Sequence, residues 1–316
     1  MTRTRRQFLR DGAVVLGGAV LPSPAGAQAA AARISTTDLG GGAFLLQGAG
    51  GNVLAVRRPA GGAAAPGASA DGALVIDGGR VANAEALMAA VRRVTGATRV
   101  HTLVNTHWHP EQTGLNEVVG RAGGVIFAHE KTKTCLSRTV YSSVAFSGRL
   151  APLPEVARPT RTTRGDGSMA VAGQTVDYGY LPAAHTDGDL FVYLPALNLL
   201  AVGGVMSVDG WPLLDYRNGA WLGGRVRALE RLADLVTPDT RVVPADGRVM
   251  TGRDVVRQRD IYRQLFETMI GYLNMGLGPE DAVPRKPLKA YEAEFGDASE
   301  FVYGALRSMM IAYVPD

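Results

Sequence analysis

The chain has 316 residues, of which 46% are hydrophobic, 7% aromatic and 20% charged, and it carries a net charge of +4. This composition is typical of a globular protein and excludes a disordered, collagen-like or coiled-coil chain. Four arginines and one aspartate lie in residues 1–27, so the remainder of the chain is nearly neutral. A nearly neutral chain without a basic track argues against a nucleic-acid partner. The single cysteine, Cys135, excludes an internal disulfide and a cysteine-based metal cluster.

Residues 1–27 have the features of an export signal. Residues 4–10, Thr-Arg-Arg-Gln-Phe-Leu-Arg, resemble the twin-arginine signal, and a short apolar run follows from Ala13 to Leu21. No stretch reaches the roughly 18 apolar residues that a membrane-spanning helix needs, which predicts no integral membrane segment. Ala25-Gly26-Ala27 is a small-x-small site suited to signal peptidase. We predict recognition by the twin-arginine export machinery, cleavage after Ala27 and a periplasmic protein of residues 28–316. The alternative is a basic N-terminus with no export role.

The hydrophobic pattern predicts strands and helices that are mixed throughout residues 33–316. In chain order it predicts a hairpin of Ala43–Gln47 and Asn52–Arg57, a solvated loop at 59–72, a strand at Ala73–Asp77, a helix at 83–94, and strands at Val100–Asn105 and Gly124–Ala128. It continues with a hairpin at 168–182, strands at Leu190–Leu194 and Leu197–Val202, a helix through Val226 and Leu235, a strand at Val242-Val243 and a long helix from Val255 to Leu273. We find no interdomain linker, and the mixture predicts an α/β or α+β fold with one core between layers.

Three of the five histidines lie beside predicted strands. His107 and His109 follow the strand that ends at Asn105, and His185 precedes the strand that begins at Leu190. A His-x-His segment can direct two imidazoles at one centre, and a third imidazole from a neighbouring loop completes the ligand set of a catalytic zinc, with water in the fourth place. The alternative is that these histidines are capping or core residues.

Residues 106–114, Thr-His-Trp-His-Pro-Glu-Gln-Thr-Gly, resemble without a gap the Thr-His-x-His-x-Asp-His-x-Gly hallmark of the metallo-β-lactamase fold superfamily, in particular its exported bacterial hydrolase-like members. Leu74–Gly79 is similar to the family's early strand that ends in Asp, Pro182–Asp189 to its third-histidine segment, and Val243–Gly247 to its Pro-Gly-His-Gly segment. The resemblance implies a four-layer αββα sandwich with the metal site at one edge of the two facing sheets. It also implies that the first metal is held by His107, His109 and His185.

The positions that hold the second metal in that family differ in this chain. Glu111 and Gln112 stand in place of the hallmark Asp and His, Asp246 in place of a late His, and Gly204 in place of the Asp that joins the two metals. Gln112 offers only a neutral carbonyl oxygen, which is a weak zinc ligand, and Gly204 offers no side chain. We therefore expect about one Zn²⁺ per chain.

These substitutions favour a mono-zinc hydrolase for a small-molecule substrate, in which zinc-bound hydroxide attacks an ester, lactone, thioester or amide. Glu111 is the candidate general base, and Asp246 is the candidate acid that substitutes for the second cation. Asp77 is expected either to hydrogen-bond the histidine loop or only to form a turn. The alternative function is that of a catalytically decayed periplasmic binding protein that keeps the fold.

Several other side chains have two interpretations or a structural one. Asp187 is expected to form a turn or to hold His185. The three tryptophans are expected either to wall a substrate cleft or to pack in the interior: Trp108, Trp211 and Trp221. The helical spacing of three arginines is typical of a solvated face: Arg225, Arg227 and Arg231.

Overall fold

The computed structural model describes residues 33–58, 72–142 and 148–313. The predicted signal peptide at 1–27 and most of the predicted loop at 59–72 lie outside these ranges. Within them, no helix is both long enough and apolar enough to cross a membrane.

The strands of the described residues are numbered in chain order. They are β1 (Ser35–Gly40), β2 (Ala43–Gln47), β3 (Val53–Val56), β4 (Ala73–Ile76), β5 (Val100–Val104), β6 (Val125–His129), β7 (Val140–Ser142), β8 (Gly148–Leu150), β9 (Arg161–Thr163), β10 (Gly167–Val171), β11 (Gln174–Leu181), β12 (Asp189–Leu194), β13 (Leu199–Gly203), β14 (Arg241–Pro244) and β15 (Met250–Thr251). The first sheet has the order β1-β2-β3-β4-β5-β6-β9, and the second has the order β10-β11-β12-β13-β14-β15. Strands β7 and β8 form a separate hairpin.

The α-helices of the described residues flank these sheets. They are α1 (Ala84–Thr95), α2 (Asn116–Arg121), α3 (Glu130–Leu136), α4 (Leu222–Leu235), α5 (Gly252–Asn274), α6 (Pro279–Ala282), α7 (Glu292–Phe295) and α8 (Ser299–Tyr313). The apolar periodicity explains α1, because Leu87, Met88 and Val91 share its buried face. The helix ends at Gly96, whose φ of 69° is the left-handed conformation that glycine adopts without strain.

The core is arranged in four layers. One buried cluster lies between the two sheets and joins residues such as Ile76 of β4 to Val192 of β12. A second cluster packs the outer face of the first sheet against α1 and α2. A third packs the outer face of the second sheet against α4, α5 and α8. This helix–sheet–sheet–helix order confirms the predicted αββα sandwich.

The connections place several chain segments at one edge of the sandwich. Strands β4 and β5 run parallel in the first sheet, and β13 and β14 run parallel in the second. The carboxyl ends of parallel neighbours open at the same edge of a sheet, which is where ligands bind in such folds. Two backbone bonds join the sheets there, from Leu190 N to Thr106 O over 2.7 Å and from Asn52 N to Ala245 O over 2.7 Å.

Candidate metal centre

The turn after β5 is held by a buried carboxylate. Asp77 directly follows β4, and its Oδ1 accepts from the Thr106 N–H over 2.8 Å, while the Thr106 hydroxyl donates to Oδ2 over 2.8 Å. Burial raises the pKa of Asp77 to about 7, although the two hydrogen bonds from Thr106 lower it. Of the two roles considered for Asp77, the structure shows contact with the histidine loop.

The side-chain hydrogen bonds fix which nitrogen of each imidazole carries its proton. The Thr106 hydroxyl gives its only hydrogen to Asp77, so His107 Nδ1–H donates to Thr106 Oγ1 over 3.0 Å. His185 Nδ1–H donates to the carbonyl of Leu213 over 3.0 Å. His109 Nε2–H donates to a carboxylate oxygen of Asp215 over 3.3 Å. The nitrogens left with lone pairs are therefore Nε2 of His107, Nδ1 of His109 and Nε2 of His185.

These three nitrogens converge in the interior. His107, His109 and His185 each offer a ligand atom, and these atoms lie within 4.8 Å of one another. The side chains are 1%, 0% and 5% exposed. Burial, followed by the neighbouring charges, lowers the pKa of His107 and of His185 well below the usual value, so both imidazoles are neutral as metal ligands must be.

The arrangement fits a metal ion. His185 Nε2 lies 3.1 Å from His109 Nδ1, so two lone pairs face each other at this distance. Two lone pairs repel unless a cation lies between them. Tetrahedral zinc with zinc–nitrogen distances of about 2.0–2.1 Å needs ligand nitrogens about 3.4 Å apart. A three-nitrogen donor set is one that Zn²⁺ accepts, whereas hard ions prefer oxygen ligands.

Asp215 was not identified from the sequence. Its carboxylate is fully buried and accepts from His109, from the Ser142 hydroxyl over 3.3 Å and from Asn218 Nδ2 over 3.0 Å. Its backbone N–H donates to the carbonyl of His185 over 3.2 Å, so one residue contacts both histidine segments. No local motif marks it, because it lies 106 residues from His109.

Asp189, rather than Asp187, holds the His185 turn. The Asp189 carboxylate accepts from the His185 N–H over 2.7 Å and from the Thr186 N–H over 2.9 Å. Burial raises the pKa of Asp189 to about 6 against the opposing effect of these bonds. The prediction that Asp187 holds His185 is therefore wrong, because the carboxylate that accepts from the backbone N–H groups of His185 and Thr186 belongs to Asp189, at the start of β12.

Arg225 does not belong to a solvated face, and that prediction is wrong. Its side chain is fully buried, and its guanidinium donates to the carbonyls of Leu213 over 2.6 Å, Gly204 over 3.3 Å and Val205. The Leu213 carbonyl is the one that accepts from His185. Arg225 thus anchors the segment that orients this imidazole. By contrast, Arg227 is exposed, as predicted.

The other predicted side chains line a cleft of about 350 Å³ beside the histidines. Glu111 lies in its wall, and its carboxylate is 3.6 Å from Arg80 Nη2, which also lines the cleft. Asp246 lies on the loop after β14 and is exposed on the same wall. Arg80 is a second residue that sequence reasoning missed.

The tryptophans divide between the two interpretations. Trp211 lines the cleft. Trp108 is buried and packs edge-on against His109, with ring centroids 4.6 Å apart, and Trp221 packs against Phe266.

The structure leaves little room for a second metal. A Cβ built on Gly204 would lie 2.3 Å from His185 Nε2, so the imidazole occupies the place of a side chain at this position. Gln112 lies in the cleft wall and is fully buried, but neither of its amide atoms has a hydrogen-bond partner among the described residues. An aspartate at position 204, which would bridge two metals, could therefore fit only if the His185 ring moved.

Solved structures of similar fold cover most of the chain. A metallo-β-lactamase from Pontibacter korlensis has a TM-score of 0.55 and 20% identity, covering 73% of this chain and 99% of its own. The DIM-1 metallo-β-lactamase has a TM-score of 0.54 and 16% identity, with coverages of 73% and 97%. The sec-alkylsulfatase Pisa1 from Pseudomonas sp. has a TM-score of 0.64 and 14% identity, covering 89% of this chain and 50% of its own. At these identities the likeness shows the fold alone.

Sequence comparison gives the family. A search of curated proteins finds no significant match. The profile of the metallo-β-lactamase superfamily matches residues 68–249, which is more than half of the chain and includes all three histidines. The matched segment, the four-layer fold and the convergent imidazoles lead to one conclusion: the chain belongs to the metallo-β-lactamase superfamily.

Proposed function

We propose that the protein is a single-zinc hydrolase that cleaves an ester, lactone, thioester or amide of a small-molecule substrate. The observation that carries the proposal is the convergence of three lone-pair nitrogens, each fixed by a hydrogen bond on the other side of its ring. Such second-sphere bonds are typical of functional metal sites, because they set the tautomer and the orientation of each ligand.

Different residues of the chain bind the metal, transfer the proton and position the base. His107, His109 and His185 hold the zinc, which supplies a hydroxide nucleophile near neutral pH when three histidines bind it. Glu111 accepts the proton of the attacking water at its carboxylate. The nearby guanidinium of Arg80, 3.6 Å away, holds the Glu111 carboxylate at the cleft wall.

Asp246 is the acid that protonates the leaving group. It lines the same cleft, on the loop where the resemblance places a ligand of the second metal. We expect Asp246 to donate the proton that the leaving group takes as its bond to the substrate breaks. The similar solved structures bear the names of lactamases and of a sulfatase, so the fold itself does not select the substrate.

Zinc analysis and the Glu111→Gln variant test the proposal. Purified protein should hold about one zinc per chain and hydrolyse a panel of activated esters and lactones, with activity lost on chelation and restored by zinc. Glu111→Gln should keep the zinc and lose about 10²–10⁴ in rate, the usual range for a general base. The matched control is Glu117→Gln on α2, whose carboxylate pairs with Arg121 and does not line the cleft. A folded, zinc-loaded protein that is inert on every substrate would favour the binding-protein alternative.

We also propose that the protein is exported to the periplasm by the twin-arginine route, with residues 28–316 as the mature domain. Replacing Arg5 and Arg6 with Lys should keep the precursor in the cytoplasm, because the receptor reads the paired guanidinium groups. Arg3→Lys is the matched control and should be exported normally. An exported protein that keeps residue 1 would contradict cleavage after Ala27.

A further inference from the structure

Gln112 is a buried residue with a firmly held backbone and an unused side-chain amide. Its exposed fraction is 0%, and neither Nε2 nor Oε1 has a partner among the described residues. Its backbone N–H donates to the His109 carbonyl over 3.0 Å, and its own carbonyl accepts from Asn105 Nδ2 over 3.0 Å. The residue is therefore fixed in place, while its amide is left for another group.

Packing does not require an amide at this position. Buried polar groups in folded proteins nearly always have hydrogen-bond partners, because an unpaired one loses its hydration without compensation. A methionine has a similar length and would fill the same space without polar atoms. An orphaned amide of this kind therefore points to a ligand that pairs with it.

The amide lies where a substrate must bind. Gln112 lines the cleft together with His107 and His185. These three side chains are buried to a similar degree, with exposed fractions of 0%, 1% and 5%. A substrate bound in this cleft therefore lies beside the amide-bearing residue as well as the two histidines.

A second cation is a poor partner for this amide. An amide oxygen alone is a weak zinc ligand, and an amide N–H cannot bind a cation. The position that would bridge two metals is Gly204, where the His185 ring lies 2.3 Å from a built Cβ. The partner that suits the amide N–H is an acceptor oxygen of the substrate, such as that of a carbonyl group.

We propose that the Gln112 amide binds the substrate in place of a second cation, an inference that rests on the hydrolase function proposed above. Its N–H donates to the oxygen of the carbonyl that is attacked. As the bond from hydroxide to carbon forms, the π electron pair moves to that oxygen, and the hydrogen bond strengthens. When the pair re-forms the carbonyl, the bond to the leaving group breaks, and the leaving group takes the proton that Asp246 donates.

The Gln112→Met variant tests this role, first without reference to activity. Metal-free Gln112→Met should have a higher Tm than the wild type, because the variant removes an unpaired buried amide, and it should bind zinc with unchanged Kd. The matched control is Gln258→Met, since the Gln258 amide is buried and donates to the Ser207 carbonyl. That variant should have a lower Tm. A lower Tm for Gln112→Met would make the amide structural, and weaker zinc binding would make it a metal ligand; either result overturns the proposal.

Ligand binding and kinetics complete the test. Acetate, a product of ester hydrolysis, should bind zinc-loaded wild type about tenfold more tightly than zinc-loaded Gln112→Met, the effect of one hydrogen bond to a charged group. The kcat for 4-nitrophenyl acetate should fall about 10²–10³-fold with zinc content unchanged. Equal acetate binding by the two proteins would overturn the proposal. If wild type hydrolyses no substrate but still binds acetate through Gln112, the binding role stands and the hydrolase function fails.

Discussion

Replacing Asp215 by Asn should weaken metal binding although the change is almost isosteric. The Asp215 carboxylate accepts from His109 on one oxygen, while Ser142 donates to the other and Asn218 donates to both. In the variant a neutral amide replaces the carboxylate, and its NH₂ group can face either His109 Nε2 or the Ser142 hydroxyl, which can also accept. In either orientation His109 Nε2–H loses its charged acceptor, because an NH₂ group cannot accept and a neutral oxygen accepts more weakly than a carboxylate.

The expected rise in the zinc Kd follows from the hydrogen bond that is lost. A hydrogen bond to a charged group contributes about 1.5–3 kcal/mol, and loss of such a partner of a metal-bound histidine weakens metal affinity about 10–100-fold. The two figures agree, because tenfold corresponds to about 1.4 kcal/mol. We expect the zinc Kd of Asp215→Asn to rise within that range, while the fold is retained.

Competition with a chromophoric chelator measures the zinc Kd directly. The matched control is Asp234→Asn, because Asp234 is an exposed residue of α4 and lies outside the cleft. Nitrogen NMR of the histidine rings in the metal-free proteins should show a changed His109 Nε2 signal in Asp215→Asn, because its hydrogen-bond acceptor has changed. An unchanged zinc Kd would refute the reasoning.

Three further changes test other contacts of the centre. Arg225→Met should lower the free energy of unfolding by about 3 kcal/mol in urea denaturation, since three carbonyls lose the hydrogen bond from its guanidinium; a loss under about 1 kcal/mol would argue against the anchoring role. Gly204→Asp should reduce zinc content rather than create a second site, because its Cβ would meet the His185 ring at 2.3 Å; two zincs per chain by elemental analysis would contradict this. For Asp77 the pKa is about 7 in the folded, metal-free protein against an ordinary 3.8, so the folded state binds the proton more tightly. The stabilisation that comes from this tighter proton binding is complete below about pH 4 and is lost as the pH rises through 7. The free energy of unfolding of wild type relative to Asp77→Asn should therefore fall across that range. A constant difference would exclude the raised pKa of Asp77.

The sequence was sufficient for the elements whose pattern is local. The hairpin of β2 and β3 was predicted because two short apolar runs flank a glycine-rich turn, and the helix α1 because its apolar residues repeat with the helical period. The helix α8 was missed, although its buried residues Phe301, Ala305 and Met309 recur at helical spacing. The short hairpin of β7 and β8 has no such pattern, since each strand is only three residues long.

The sequence by itself also predicted which three histidines come together, because His107 and His109 are two residues apart and the third histidine lies in a segment that resembles the family. Only the tertiary structure decided which groups orient those ligands. Asp215, Leu213 and Arg225 meet the histidines across two sheets and carry no local signature, so no spacing rule finds them. The same holds for the unpaired amide of Gln112 and the contact of Gly204 with His185: whether a buried group has a partner is a property of packing, and packing joins residues that the chain keeps far apart.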